Sequence, residues 1–209
     1  MDKTQGLFRS RGHIILASNS PRRRELLLSV GIGFDVIPAD VDESYLLGER
    51  FDEHVTRLSE EKARAIADRF PGAFVLGSDT IVVIDDTLLG KPGDESEAQA
   101  MLSRLSGRTH TVFTGFCLIA KTTGIKRAGF VSSKVTMKEL TSDEIEAYVA
   151  TGEPMDKAGA YAIQGYSAYM VARVEGSYTT IVGLPLTEVI GLLKEVGAIE
   201  FRPAEGDRR

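Results

Sequence analysis

Three consecutive arginines, Arg22, Arg23 and Arg24, follow Ser20 and Pro21 where a helix should begin. Ser20 suits the N-cap, Pro21 the first helical position and Gly31 the C-terminal cap, and Leu26, Leu27 and Val30 supply an apolar face. Unpaired N–H groups already make a helix start positive, so each cation there is unfavourable by roughly 0.3–1 kcal/mol. An anion on that end removes the conflict, because backbone N–H groups and guanidinium forks then act on one phosphate. The alternative is a solvated basic face.

Other charges stand where a core is expected. Lys62 falls on the apolar stripe formed by Phe51, Val55, Leu58, Ala65 and Ile66, so it either snorkels out or points into a cleft. Asp79 lies inside the apolar run "FVLGSDTIVVI". A carboxylate there must be paired, protonated or bound to a cation, which suits a metal ligand or general base better than a strand-end cap. Lys91 follows a strand in "LGKP", without the glycine and hydroxyl spacing of a P-loop. Glu43 ends the acidic loop "DVDES", and "DKAGAYAIQG" places Asp156, Lys157 and Gln164 among small residues that let backbone approach a ligand. Taken singly, Glu43 reads first as part of a solvated loop, and the second segment is also compatible with a surface turn.

The combination is more specific than its parts. Arg22, Arg23, Lys62 and Lys91 are cations, while Glu43 and Asp79 offer hard oxygens that suit Mg²⁺ or Mn²⁺ rather than zinc. Cations for a polyphosphate and carboxylates for its metal describe a nucleotide site. His13, His54 and His110 show no metal-ligand or triad spacing, and no nucleophile elbow is present.

The bulk properties exclude other classes. The formal net charge of -5 over 209 residues argues against a general nucleic-acid binder, which rests on a broad basic surface. Cys117 is the single cysteine, so no disulfide framework or cysteine zinc site is expected. No apolar run approaches the ~18 residues of a membrane span, and the first residues lack the apolar core of a signal peptide. A cytoplasmic protein with no membrane or nucleic-acid partner is expected.

Alternating helical and strand periods predict an α/β fold that positions these residues. Strands are expected at His13–Leu16, Phe34–Ile37, "AFVLGSDTIVVI", Thr109–Ala120, Gly124–Met137, Tyr169–Val174 and Tyr178–Val182. Helices are expected after Ser20, from about Arg50 to Arg69, and after the capping-box pairs Asp94/Glu97 and Thr141/Glu144, with a last one from Pro185 to Val196. Residues 1–12 read as an N-terminal extension, 13–197 as one domain and 198–209 as a charged tail, frayed from Arg202.

The segments "LASNSPRRRELL", "SDTIVV", "LGKP", "LSGRTHTVFTG", "EPMDKAGAYAIQG" and "GSY...VGLPL" together resemble the Maf family of nucleotide pyrophosphatases, from about His13 to Val196. The resemblance implies an elongated fold like that of inosine triphosphate pyrophosphatases, with a central mixed sheet flanked by helices and a cleft between two lobes. It also implies a homodimer and metal-dependent hydrolysis of nucleoside triphosphates to monophosphate and pyrophosphate. By motif position, Asp79 matches the proton acceptor, and Glu43 and Asp79 together would hold the metal. Arg22, Thr80 and Gln164 match positions linked to base choice, and Arg23, Glu43, Lys62 and Lys91 match charged cleft residues. Ser18 and Ser20, in the first motif, are further substrate-binding candidates. The "AYAIQG" segment looks like the dTTP and UTP group, whereas the 7-methyl-GTP group carries a serine and glutamate version. Departures are "SDT" for the frequent "ADT", the third arginine Arg24, and Thr180 where asparagine often stands. A rival reading is a non-catalytic, nucleotide-sensing regulator of cell division.

Overall fold

The computed structural model describes residues 6–202. In chain order the first elements are β1 (Phe8–Ser10), β2 (Ile14–Leu16), α1 (Pro21–Ser29), β3 (Asp35–Val36), α2 (Phe51–Ala67), β4 (Phe74–Ile84), β5 (Thr87–Leu89) and α3 (Glu95–Leu105). They are followed by β6 (Thr109–Ala120), β7 (Ile125–Met137), α4 (Ser142–Val149), β8 (Val171–Glu175), α5 (Tyr178–Val182), α6 (Leu186–Glu195) and β9 (Ile199–Phe201). A mixed sheet has the order β3-β2-β4-β6-β7-β8, with β5 folded back onto β4. β2 is parallel to β3 and β4, and the other pairs are antiparallel. This is the expected α/β architecture, a mixed central sheet flanked by helices.

β4 has two partners along the edge facing away from β6. Its first part pairs with β2 as far as Leu16↔Leu76, and its last part pairs with β5 from Val82↔Leu89. Between them Gly77 to Ile81 are paired only with β6 on the other edge, which leaves a notch in the sheet. Below the notch, Ile14, Leu16, Leu27, Leu76, Leu118, Val189 and Leu193 form one core. Above it, Val82, Ile84, Leu89, Leu102, Leu105, Val135, Met137 and Ile145 form another. Each such fully buried side chain contributes about 1.5–3 kcal/mol, so two lobes are stabilised separately along continuous long strands. Asp79 and Thr80 sit at the seam.

Strand alternation sends these two neighbours to opposite faces. Gly77, Asp79, Ile81 and Val83 face α2, which lies unusually close to the sheet. A Cβ on Gly77 would lie 2.1 Å from the Ser59 carbonyl oxygen, and one on Gly115 would lie 2.2 Å from that of Val55. The two glycines admit the helix backbone, and that approach brings Lys62 onto Asp79. Ser78 and Thr80 face the other way, toward Gly183 after α5 and Arg23 of α1, while Val82 packs in the upper core.

Three expectations are corrected. Tyr178–Val182 forms the short helix α5 instead of a strand. Its β-branched "TTIV" favours extended backbone locally, but Gly183, at φ +120°, closes a helical turn through N–H bonds to the Thr179 and Thr180 carbonyls. The strand expected from Tyr169 begins at Val171, because Gly165–Met170 is wound into 3-10 turns. Arg202 is not frayed: its N–H reaches the Leu7 carbonyl at 3.1 Å and its Nε the Phe8 carbonyl at 3.1 Å. The chain on either side of the expected domain also pairs, β1 with β9, burying Phe8 and Ile199 and joining Arg9 and Arg11 to Glu200. The rest of the expected tail, from residue 203, lies outside the described residues.

Candidate active site

The notch opens into a cleft of about 400 Å³, and all ten candidate residues line it. Ser18, Ser20, Arg22 and Arg23 come from the turn after β2 and the start of α1, beside the carboxyl end of a parallel strand, where α/β sheets commonly bind ligands. Lys91 lies just past β5, Asp79 and Thr80 form the floor, and Gln164 comes from the loop after α4.

On the α2 side, Lys62 is 6% exposed and its Nζ donates to Asp79 Oδ1 at 2.7 Å and to Glu43 Oε1 at 2.6 Å. Its stem packs in the apolar stripe and its ammonium is directed at two acids, so the snorkelling alternative does not hold. Asp79 is 7% exposed, which makes this a buried pair, whereas the Glu43 side chain is exposed on its loop. Burial raises the Glu43 carboxyl pKa, but the hydrogen bond and charge of Lys62, aided by Lys91 and Arg23, hold it below the usual carboxylate value. The loop carrying Glu43 is fastened to α2 by Arg57, which donates to the Ser44 carbonyl and to both oxygens of Glu49. Sequence reading missed that clamp.

The opposite wall is organised by Arg23, 9% exposed. Its Nε donates to the Gly183 carbonyl at 2.7 Å, Nη1 to Ser18 Oγ at 2.9 Å and Nη2 to Thr80 Oγ1 at 3.0 Å. Ser78 Oγ reaches the same Gly183 carbonyl at 3.1 Å, and Thr80 Oγ1 lies 3.0 Å from Thr114 Oγ1. Burial pulls the Arg23 guanidinium below its ordinary pKa; Asp79 opposes that fall and Arg22 adds to it. A buried cation under-compensated by its surroundings and bordering a cleft is a place where an anion would be stabilising. The arginine turn thus divides its labour: Arg23 is buried, Arg22 is half-buried on the cleft, and Arg24 is exposed and outside its lining.

Thr114 and the Gly183 carbonyl are site components that the sequence did not disclose. Thr114 is legible only as a strand residue until the β4–β6 register sets it opposite Thr80. Asp156 also lines the cleft; partial burial raises its carboxyl pKa, yet Lys157 and the charge of Arg22 hold it below the ordinary value.

Among the described residues no group of three or more His, Cys, Asp or Glu is arranged to hold a metal. Glu43 and Asp79 nevertheless point one oxygen each at a single cationic centre, the Lys62 ammonium. Two hard carboxylate oxygens fit a Mg²⁺ or Mn²⁺ ion that arrives with substrate phosphates, and they do not form a cage for a resident ion.

The family of Maf-like proteins matches residues 13–196. Among similar proteins are the dTTP/UTP pyrophosphatase of Syntrophus aciditrophicus (strain SB), 52% identical over 93% of this chain and 95% of that protein, and that of Geobacter sp. (strain M21), 53% identical over 89% and 96%. A solved HAM1 protein structure from Coxiella burnetii covers 88% of this chain and 98% of its own at 18% identity, with a TM-score of 0.45. With the family pattern spanning both lobes and the cleft between them, the chain belongs to the Maf family.

Proposed function

We propose that the protein hydrolyses dTTP and UTP to the monophosphate and pyrophosphate. The observation that carries this reading is the convergence of four cations, Arg22, Arg23, Lys62 and Lys91, on a cleft whose floor is the buried acid Asp79. The activity named for relatives about half identical over most of this chain supports the same choice of substrate.

In the proposed reaction Asp79 takes a proton from a water that attacks the α-phosphorus. A P–O bond forms to that water, the α–β bridging bond breaks, and pyrophosphate leaves with the bridging oxygen. Lys62 positions Asp79 through its 2.7 Å hydrogen bond. Arg22, Lys91, the remaining N–H groups of Arg23 and the exposed N–H groups at the start of α1 stabilise charge developing on the leaving oxygens. Ser18 and Ser20 hold the phosphate end. Gln164, whose amide both donates and accepts, meets the mixed edge of the pyrimidine. Glu43 and Asp79 would hold Mg²⁺ or Mn²⁺, which when bound neutralises phosphate charge.

The nucleotide-sensing alternative gains no observation of its own, and it leaves Asp79 only the metal-holding part of its proposed role. A cytoplasmic homodimer completes the proposal. No helix among the described residues is long and apolar enough to cross a membrane, and Tyr45, Leu46, Leu47 and Phe130 offer an exposed apolar surface for a second copy.

The test is to incubate purified protein with each nucleoside triphosphate and Mg²⁺ and measure pyrophosphate. UTP and dTTP should each yield monophosphate and pyrophosphate. Release of orthophosphate instead, or no turnover of either, would reject the assignment.

A further inference from the structure

Hydrogen-bond direction around Arg23 is fixed by the chemistry of its partners. The Thr114 hydroxyl lies 2.8 Å from the Thr180 carbonyl, which can only accept, so the single Thr114 proton is spent there. Thr114 must then accept from Thr80 across their 3.0 Å contact. Thr80 in turn accepts from Arg23 Nη2. The chain therefore runs Arg23 → Thr80 → Thr114 → Thr180, and it leaves Thr80 with one lone pair and no proton for anything in the cleft.

Ser18 is polarised in the opposite sense by the same guanidinium. It accepts from Arg23 Nη1 at 2.9 Å and from the Ser20 N–H at 3.3 Å, so its own proton is free. One hydroxyl of the cleft offers a donor, as a phosphate oxygen requires. The other offers only an acceptor, which a phosphate oxygen would avoid.

We propose that Thr114 is a positioning residue for base selection: by taking the Thr80 proton it makes Thr80 a reader of a ring N–H on the substrate base. Uracil and thymine present N3–H between two carbonyls. Cytosine presents a lone pair at N3 and adenine one at its corresponding ring nitrogen, so both would set acceptor against acceptor in a half-buried site. Guanine's ring N–H would pass the same filter. This rests on the proposed pyrophosphatase reading and adds to it a mechanism for excluding cytosine, carried by a residue outside the cleft lining.

The test compares kcat/KM for UTP and CTP in the wild type, Thr114→Val and Thr114→Ser. Valine keeps the volume and removes the acceptor, while the Thr180 carbonyl retains the Gly183 N–H at 3.1 Å. The wild type should favour UTP over CTP by at least about 100-fold. Thr114→Val frees the Thr80 proton to turn outward and should shrink that ratio about tenfold or more, whereas Thr114→Ser should hold it within about threefold. A thermal melt checks that each variant is folded. Should the valine variant not fold, wild-type turnover of N3-methyl-UTP, which keeps both carbonyls and lacks the N–H, decides instead: it should fall at least about 100-fold. A wild type inactive on UTP defeats the functional reading itself. UTP turnover with CTP used equally, with a ratio unmoved in Thr114→Val, or with N3-methyl-UTP accepted overturns only this inference.

Discussion

The two walls of the cleft are built on different principles. On the α2 side, one ammonium is shared by two carboxylates, and one of those sits on an exposed loop. On the α1 and α5 side, a buried guanidinium, the Thr80 and Thr114 hydroxyls and the Gly183 and Thr180 carbonyls are locked to one another in fixed directions. The first wall can exchange partners when a charged ligand arrives, while the second is already committed. Reaction chemistry needs groups that change partner and protonation, and selection needs groups that do not. The notch in the sheet lets one strand serve both, because Asp79 and Thr80 are adjacent and face opposite ways.

The largest effects should come from the exchangeable wall. Asp79→Asn removes the proposed base at nearly constant volume, so kcat should fall by about a thousandfold or more while UTP binding measured by calorimetry persists. Full turnover in that variant would place the base elsewhere. Lys62→Met should lower kcat about a hundredfold and cost about 3–5 kcal/mol by leaving Asp79 buried without its cation. In that variant Mg²⁺ or Mn²⁺ added together with a non-hydrolysable UTP analogue should raise the melting temperature more, relative to the analogue alone, than in the wild type, since two acids now lack their shared cation. Equal metal stabilisation in both proteins would separate Glu43 and Asp79 from metal binding.

The committed wall should answer differently. Arg23 holds its charge against burial, so Arg23→Met should lower kcat/KM about a hundredfold yet leave stability within about 1 kcal/mol. Ser18 keeps the Ser20 N–H, Thr80 keeps Thr114, and the single Ser78 proton, shared between the Gly115 carbonyl at 2.8 Å and the Gly183 carbonyl at 3.1 Å, can turn to the one that Arg23 frees. A loss of several kcal/mol in chemical denaturation would make Arg23 a structural strut instead.

What could be read from the sequence follows this same division. Charges in an apolar context betray themselves, so Lys62 inside a helical stripe and Asp79 inside an apolar strand pointed to the ionic wall directly. The long strands and helices were legible because their periods are sustained over ten or more residues. The committed wall was not legible, because Thr114 and Gly183 are ordinary residues until register and tertiary packing bring them to Arg23. α5 was misread for a related reason: five residues are too few for periodicity to compete with β-branched propensity, and the turn at Gly183 decides the outcome. The pairing of β1 with β9 joins the two ends of the described chain, a contact that no local pattern announces.

Acid should separate the ionic wall from the lobe above the notch along the pH axis. His110 is 2% exposed, and its Nε2 lies 2.7 Å from the hydroxyl of Tyr161, a cleft-lining residue above the notch. Burial lowers its pKa to about 4 from an ordinary 6.5, so the unfolded chain binds the proton more readily than the folded one. Stability is then fully present above about pH 6.5 and declines as pH falls toward 4, by up to about 3 kcal/mol. His110→Gln should flatten that decline in urea titrations. The Glu43 carboxylate is held below the ordinary value of 4.5, so its contribution is present above about pH 4.5 and is lost as pH falls through its lowered pKa. An unchanged slope in His110→Gln would assign the acid sensitivity to the carboxylates.

The smallest expected effect belongs to the third arginine. Arg24 is exposed, lies outside the cleft lining and still sits in the first turn of α1, so it bears the unfavourable helix-end electrostatics without a place at the site. Arg24→Ala should therefore leave kcat and KM within about twofold and raise stability by about 0.3–1 kcal/mol, more at low salt than at high salt. Arg22→Ala, one residue earlier and on the cleft, should raise KM about tenfold under the same conditions. If both alanine variants lose activity equally, the anion is held by the general positive field of the turn and not by guanidiniums placed one by one. Neighbours in the chain would then not be distinguished by which way they face.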